Sequence, residues 1–217
     1  MKRLVLHIGV RKCASSTLQG YLSRNPVLPL ASSSGVLRYV VADLTGPILH
    51  GENMLQAVAA NPYGFVACPK ELVRKPIAFQ AAFAAIQKSS GPEDVVVLSC
   101  EFWTDSGFMT SEVMAILNDL PVPVDIFMLT RPPVEWVNAA WWQWDAWTDV
   151  SLEKSLDQLK AVNHLKSLDL WRGVKQVDRI AVHDVSQDPI GAFLAFVGAS
   201  SKAPASNERL NAASDFD

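Results

Sequence analysis

The sequence predicts an α/β fold in which a parallel sheet carries helices on both faces. Three observations predict it. Strand-like and helix-like stretches alternate along the 217 residues. Two of the strand-like runs, Val95–Ser99 and 125–129, are almost continuously apolar, as strands buried on both faces are. At the N-terminus an apolar strand meets a tight turn at Gly9, and a helix opens soon after it. A chain of 217 residues can enclose a full core, and it reads as one domain, residues 1–217.

The elements follow in order. Leu4 to Ile8 is the first strand. Ser16 to Arg24 is a helix with Leu18, Tyr21 and Leu22 on one face, stopped at Asn25-Pro26. Residues 26–52, rich in Pro, Ser and Gly, read as a long and partly irregular excursion. Pro76 to Lys88 is a helix with Pro in its first turn and Phe79, Phe83 and Ile86 facing inward. Gly91-Pro92 breaks the chain before the strand at Val95–Ser99. Ser111 to Leu120 is amphipathic and helical, and 125–129 is the next buried strand. Helical stretches follow at about 133–147 and 151–172. Arg179 to Val182 is a short strand, and Pro189–Val197 is a helix closed by Gly198. In such sheets ligands bind beyond the carboxyl ends of the strands, so the segments after each strand carry the chemistry.

The first of these segments is Gly9-Val10-Arg11-Lys12-Cys13-Ala14-Ser15-Ser16-Thr17. A strand, a turn, two bases and three hydroxyls at a helix start suit a phosphate-like anion. Backbone N–H groups and the positive end of the helix dipole point at the ligand. Lys12 adds a point charge, and Ser15, Ser16 and Thr17 can donate hydrogen bonds. The bland alternative is a buried strand followed by an ordinary N-capped helix. The turn is not a Walker A loop, because Lys12 follows Gly9 by three residues with no second glycine. After the second strand comes Cys100-Glu101-Phe102-Trp103, and after the third Thr130-Arg131-Pro132-Pro133-Val134-Glu135. Arg131 offers a guanidinium fork that fits a phosphate, or it pairs with Glu135 at a helix start. Glu101 is a candidate base, or else a surface carboxylate or a partner for Lys12 or Arg131.

Composition narrows the field. The net charge of −3 argues against a general nucleic-acid binder, although a local cluster of bases can still hold a dianion. The apolar run after Lys2-Arg3 is short, contains His7 and meets Arg11-Lys12, which does not fit a signal peptide. No run reaches transmembrane length. Three cysteines, Cys13, Cys68 and Cys100, do not suggest a disulfide framework, and the chain reads as a cytoplasmic protein. No His/Cys/Asp group has metal-ligand spacing, so no metal is expected. Five tryptophans crowd residues 136–147. On a helix Trp136, Ala140, Trp144 and Trp147 share a face, with Val137 and Trp141 beside it, and core or interface burial is expected for these four indoles. Trp142 falls one turn after Asn138 and is expected to face the cleft, stacking on a base or lining an acceptor pocket.

The anion loop resembles that of sulfotransferases using 3′-phosphoadenosine-5′-phosphosulfate, which in bacterial members reads approximately H-I-G-x-x-K-T-G-T-T-x-L-Q. His7, Ile8, Gly9, Lys12, Leu18 and Gln19 match, while Cys13, Ala14, Ser15 and Ser16 depart from it. The segment from Leu129 resembles the family pattern L-x-R-x-P-V-E-x-x-x-S at Leu129, Arg131, Pro133, Val134 and Glu135. Its Ser position falls on Ala139, with Asn138 beside it. Ser99 and Glu101 match a V-V-x-S-S-E stretch. Trp171, the run Asp178 to Val182 and Phe193-Leu194 with Gly198 resemble the family's last strand and helix, and Arg209 to Ser214 its closing R-x-N-x-S segment.

The resemblance implies a three-layer, P-loop NTPase-like sulfotransferase fold and sulfuryl transfer to a hydroxyl or amine of a small-molecule or carbohydrate acceptor. It implies that Gly9, Arg11, Lys12, Cys13, Ala14, Ser15, Ser16 and Thr17 hold the 5′-phosphate side of the donor, with Lys12 at the leaving oxygen. Arg131 and Asn138 would hold the 3′-phosphate, Arg209 would approach the nucleotide, and Glu101 would take the acceptor proton, with His50 and Glu52 in reserve. The rival readings are a nucleoside or small-molecule kinase and a homologue that binds nucleotide without turnover. Ala14, where the family has Gly, and Ala139 keep the last one open.

Overall fold

The computed structural model describes residues 1–44, 48–104, 111–159 and 164–200. The strands are β1 (Arg3–His7), β2 (Val27–Pro29), β3 (Val36–Tyr39), β4 (Val95–Ser99), β5 (Val124–Thr130) and β6 (Val177–Asp184). They form one sheet in the order β2-β3-β4-β1-β5-β6. All neighbours are parallel except the edge pair β2 and β3. The helices are α1 (Ser15–Arg24), α2 (Gly51–Ala59), α3 (Lys70–Arg74), α4 (Pro76–Ser89), α5 (Ser111–Asn118), α6 (Pro133–Trp144), α7 (Leu152–Leu159), α8 (His164–Arg172) and α9 (Pro189–Val197).

The burial pattern explains the centre of the sheet. Every residue of β4 is buried, as are all of β5 but its last residue and all of β1 but its first. The chain leaves β1 in one direction along the sheet and returns through β4, β5 and β6 in the other. Right-handed crossovers therefore put α1 on one face and α4 and α5 on the opposite one. Packing agrees: α1 contacts α2 and α9, while α4 contacts α3 and α5. Phe127 of β5 meets Phe193 of α9 edge-on at 5.1 Å. On the other side Trp103, in the 3₁₀ turn Glu101–Thr104, packs on Phe79 of α4 at 5.7 Å and Trp171 of α8 at 5.9 Å. Gly198 ends α9 in the left-handed conformation, φ 72°, as a helix-closing glycine does.

The structure departs from the sequence reading in four places. Residues 26–52 hold two strands, and α2 begins within them at Gly51. Pro29 sits in the edge strand β2, where a missing N–H costs least. The stretch 151–172 holds two helices with separate anchors. Ser155 of α7 donates to Asp145 Oδ2, whereas α8 buries Leu168 and Trp171. Helix α6 stops at Trp144, where the Ala146 N–H folds back onto the Trp141 carbonyl. β6 runs two residues further at each end than Arg179 to Val182, pairing Thr130 with Asp184 at its far end. Among the described residues no helix is long and apolar enough to cross a membrane.

Candidate active site

β1 is flanked by β4 and β5, with His7 in register with Ser99 on one side and Phe127 on the other. The segments leaving these three strands therefore meet on one rim. The loop after β1 turns through a bond from the Cys13 N–H to the Val10 carbonyl, 3.2 Å. Lys12 and Ala14 are left-handed, with φ 68° and 54°. This conformation costs an L-residue other than glycine about 1–2 kcal/mol. Ala14 is the N-cap of α1 and offers no side-chain cap. The Thr17 and Leu18 N–H groups share its carbonyl, at 3.0 and 3.2 Å. Among the described residues the Ser15 and Ser16 N–H groups reach no acceptor, and the buried Ser15 Oγ has no hydrogen-bond partner. The start of α1 is thus left with two open N–H groups and an unpartnered hydroxyl, the donors a helix N-terminus can offer an anion. Gly9 is required by close approach: a Cβ there would lie 2.2 Å from Ser15 Oγ and 3.0 Å from the His7 ring.

Charge is gathered at the same place. Lys12 lies within electrostatic reach of both Glu101 and Arg131. Burial holds the Lys12 ammonium below its ordinary range; Glu101 opposes that shift and Arg131 adds to it. Burial also pushes the Glu101 carboxyl up, against the pull of Ser15, Lys12 and Arg11. The Ser15 hydroxyl faces that carboxylate without closing a hydrogen bond to it. Arg131 Nε is buried and without a partner. The two loop cations rest on aromatic rings. The Arg11 guanidinium lies 4.5 Å from the Phe102 ring centre, and Lys12 Nζ lies 5.5 Å from that of Trp144. Lys70 approaches the same Phe102 at 5.8 Å. Trp136 Nε1 donates to the Arg11 carbonyl at 2.7 Å, which ties α6 to the loop.

Beneath the loop, His7 Nδ1 and Ser99 Oγ are hydrogen-bonded at 2.7 Å, and Gln19 Nε2 donates to the same oxygen at 2.9 Å. Full burial pushes the His7 imidazole down to about 3, so the ring is neutral at physiological pH. His7 Nε2 has no partner and sits under Gly9. Burial likewise pushes the Cys13 thiol up to about 12, so it stays protonated and is no nucleophile at neutral pH.

The remaining sequence candidates are placed as follows. Ser16 is half-buried and Thr17 buried at the start of α1. Asn138 is exposed on α6. Trp142 is exposed and packs on Trp141 and Trp147, at 5.0 and 6.1 Å. His50 and Glu52 open α2, and neither is among the charges that act on Lys12 or Glu101. Arg209 lies outside the described residues. The expected tryptophan core is only partly formed: Trp136 is buried, but Trp144 and Trp147 are 37% and 75% exposed. α6 lies on the rim and buries one narrow stripe, Trp136 and Ala140, and Trp147 lies past its end, where a helical wheel no longer applies.

Three residues at the rim, Phe102, Lys70 and Asp184, were not singled out from the sequence, and a fourth, Trp144, was expected to be buried. Asp184 ends β6, acts electrostatically on Cys13 and is itself held low by the Ser186 N–H and by Arg131. The rule that ligands meet strand ends would have found it had the strand not been ended at Val182. Among the described residues no group of His, Cys, Asp and Glu could hold a metal ion.

No protein-family model matches the chain, and no curated protein matches it. Solved structures do. A sulfotransferase from Alicyclobacillus acidocaldarius is similar with a TM-score of 0.50 and 16% identity, over 92% of this chain and 82% of that one. At that identity the likeness shows a shared fold: a mixed α/β, mostly parallel six-stranded sheet flanked by helices. A sugar kinase from Janibacter sp. HTCC2649 gives a TM-score of 0.39 and 12% identity, over 92% of this chain and 96% of that one, a score too low to argue from.

Proposed function

We propose that this protein is a sulfotransferase that moves a sulfuryl group from 3′-phosphoadenosine-5′-phosphosulfate to a hydroxyl or amine. One observation carries the reading: an uncapped helix start, a lysine, an arginine and a half-buried carboxylate share the rim where β1, β4 and β5 end. The orphaned Ser15 Oγ and Arg131 Nε, and the open N–H groups of α1, are donors that an anionic ligand would satisfy. The donor fits this set, and what it supplies when bound is an activated sulfuryl group on a phosphate leaving group.

The residues divide the work. The Ser15 and Ser16 N–H groups, with the hydroxyls of Ser15, Ser16 and Thr17, hold the 5′-phosphate at the positive end of the α1 dipole. Lys12 neutralises the charge that grows on the leaving oxygen, and Arg131 fixes the 3′-phosphate, with Asn138 one helical segment further on. Glu101 accepts the acceptor's proton at a carboxylate oxygen. Its raised pKa suits a base, and Lys12 and Arg11 keep it from rising further. Most of the catalysis is positioning and charge stabilisation, as in phosphoryl transfer.

The test is thermal stabilisation by adenosine 3′,5′-bisphosphate. Wild type is expected to gain about 2.7 kcal/mol at a ligand concentration one hundred times Kd. Lys12→Ala is expected to gain far less at the same concentration. Stabilisation by ATP with magnesium, and none by the bisphosphate, would overturn the reading.

A further inference from the structure

We infer that Trp144 is a positioning residue for Lys12: its ring holds the ammonium over the open start of α1. The inference rests on the reading of Lys12 as the group that meets the anion, and extends it to a residue on a different element. Lys12 Nζ lies 5.5 Å from the Trp144 ring centre, inside the range where an ammonium is attracted to an indole face. Left-handed backbone at Lys12 sets the direction in which its four-carbon stem leaves the loop. The same helix that carries Trp144 also grips the loop backbone, through Trp136 Nε1 and the Arg11 carbonyl. α6 therefore holds the loop at one backbone atom and one side chain.

Lys12 needs such a rest. Its ammonium is partly removed from water and repelled by Arg131, with Glu101 as the opposing carboxylate. Arg11, its neighbour in sequence, is already placed on Phe102. An ion pair closed tightly on Glu101 would fix Lys12 too, but would neutralise the charge that an incoming anion is to meet. An aromatic face holds the ammonium without doing so. Its quadrupole attracts the cation, carries no net charge, and leaves N–H donors free for a ligand. Ordering the stem in advance removes rotamer entropy that binding would otherwise cost. Trp144 is 37% exposed, so the ring borders the open cleft and is not packed in the core.

The experiment compares wild type with Trp144→Phe and Trp144→Leu, two replacements of similar bulk of which only the first keeps an aromatic face. Acetylation of Lys12 in the ligand-free protein is followed by mass spectrometry against pH, because only the neutral amine reacts. The charged groups acting on that amine are Glu101 from the turn after β4 and Arg131 just past β5; Arg11, on the same loop, acts on Glu101. None of these is altered by the substitutions. The Leu variant is expected to titrate about half a pH unit or more below the Phe variant, since loss of the ring face destabilises the charged form. Bisphosphate affinity is expected to fall about fivefold in the Leu variant and less than twofold in the Phe variant. Coincident acetylation profiles for Phe and Leu would overturn the inference. A shifted profile with no bisphosphate binding to wild type would leave Trp144 paired with Lys12 and sink the sulfotransferase reading instead.

Discussion

The two ends of the sheet treat charge in opposite ways. At the amino ends, cations meet carboxylates. Asp125, 1% exposed at the start of β5, binds Arg3 of β1 at 2.9 Å and also Arg179 of β6. Asp94, just before β4, binds Arg38 of β3 and accepts the Val36 and Gly91 N–H groups, at 3.1 and 2.8 Å. Unpartnered buried atoms and cation–ring contacts occur at both ends: Arg3 Nε, Arg179 Nε and Asp125 Oδ1 have none, and Arg179 also lies 4.6 Å from the Phe196 ring centre. At the carboxyl ends, however, Arg11 and Lys12 rest on aromatic rings with no carboxylate closed on them among the described residues, and Ser15 Oγ, Arg131 Nε and His7 Nε2 have no partner. Two residues other than glycine are held there in left-handed backbone. One end spends its charges on joining strands. The other leaves its cations without a closed carboxylate and bears backbone strain, as the proposed anion site requires.

The sharpest way to break this contrast is to unpair the scaffold end. Asp125→Asn leaves Arg3 and Arg179 without their shared carboxylate across three strands. It is expected to cost about 2 kcal/mol, because two charge-assisted hydrogen bonds are lost while the guanidinium groups, 28% and 41% exposed, keep part of their hydration. Urea denaturation should show the loss as a lower midpoint. Bisphosphate affinity, measured where the variant is still folded, should stay within about twofold. A stable variant with weakened binding would mean that the two ends are coupled and the division is false.

The same contrast governs what the sequence revealed. β4 and β5 were legible because parallel strands buried on both faces must be apolar throughout, and the turn at Gly9 was legible because few sequences leave a strand so abruptly into hydroxyls. Those features place Lys12, Glu101 and Arg131 at three adjacent strand ends. The short strand pair β2 and β3 at one side of the sheet was hidden, since three or four residues with Pro29 in the edge strand carry no periodic signal. β6 is half-exposed along its length, so its apolar pattern is weak, and Asp184 at its end was missed. Trp144 was hidden for a different reason. A helical wheel assigns faces but does not say which face another layer covers, and α6 is only narrowly covered.

A smaller effect separates the ends by pH. Burial raises the Glu101 pKa in the folded protein, so the folded state binds the Glu101 proton more tightly than the unfolded chain does. Its contribution to stability is therefore full below the ordinary glutamate range and is lost as pH rises through the raised value. Glu101→Gln should remove that loss. The variant is expected to be more stable than wild type at pH 7 by about 1 kcal/mol, the scale of a typical single substitution, and no more stable at pH 4. Sulfuryl transfer, once an acceptor is found, should fall in the same variant. Asp94 provides the control with the opposite sign. Its carboxyl is held low by Arg38 and by the Gly91 and Val36 N–H groups, so its stabilisation is lost as pH falls through that lowered value. Equal stability differences at both pH values for Glu101→Gln would remove the carboxylate from the strained end.

The smallest predicted effect bears on the strain itself. Ala14 has φ 54° and ψ 21°, and it caps α1 with nothing but its backbone. Glycine visits this region freely, whereas alanine does not, because its Cβ crowds the neighbouring carbonyl. Ala14→Gly therefore relieves strain in the folded state, but it also loosens the unfolded chain, and the two effects oppose one another. The net gain is expected to be about 0.5–1 kcal/mol, read as a raised midpoint in urea. The bisphosphate distinguishes what the methyl does to a ligand. If Ala14 stands only in place of a glycine, affinity should be unchanged or stronger in the variant, because the methyl at the point of close approach is gone. If the strained alanine holds the open Ser15 and Ser16 N–H groups in their binding geometry, the more stable variant should bind more weakly. Stability and affinity moving in opposite directions would show that the strain at this end is maintained for the ligand.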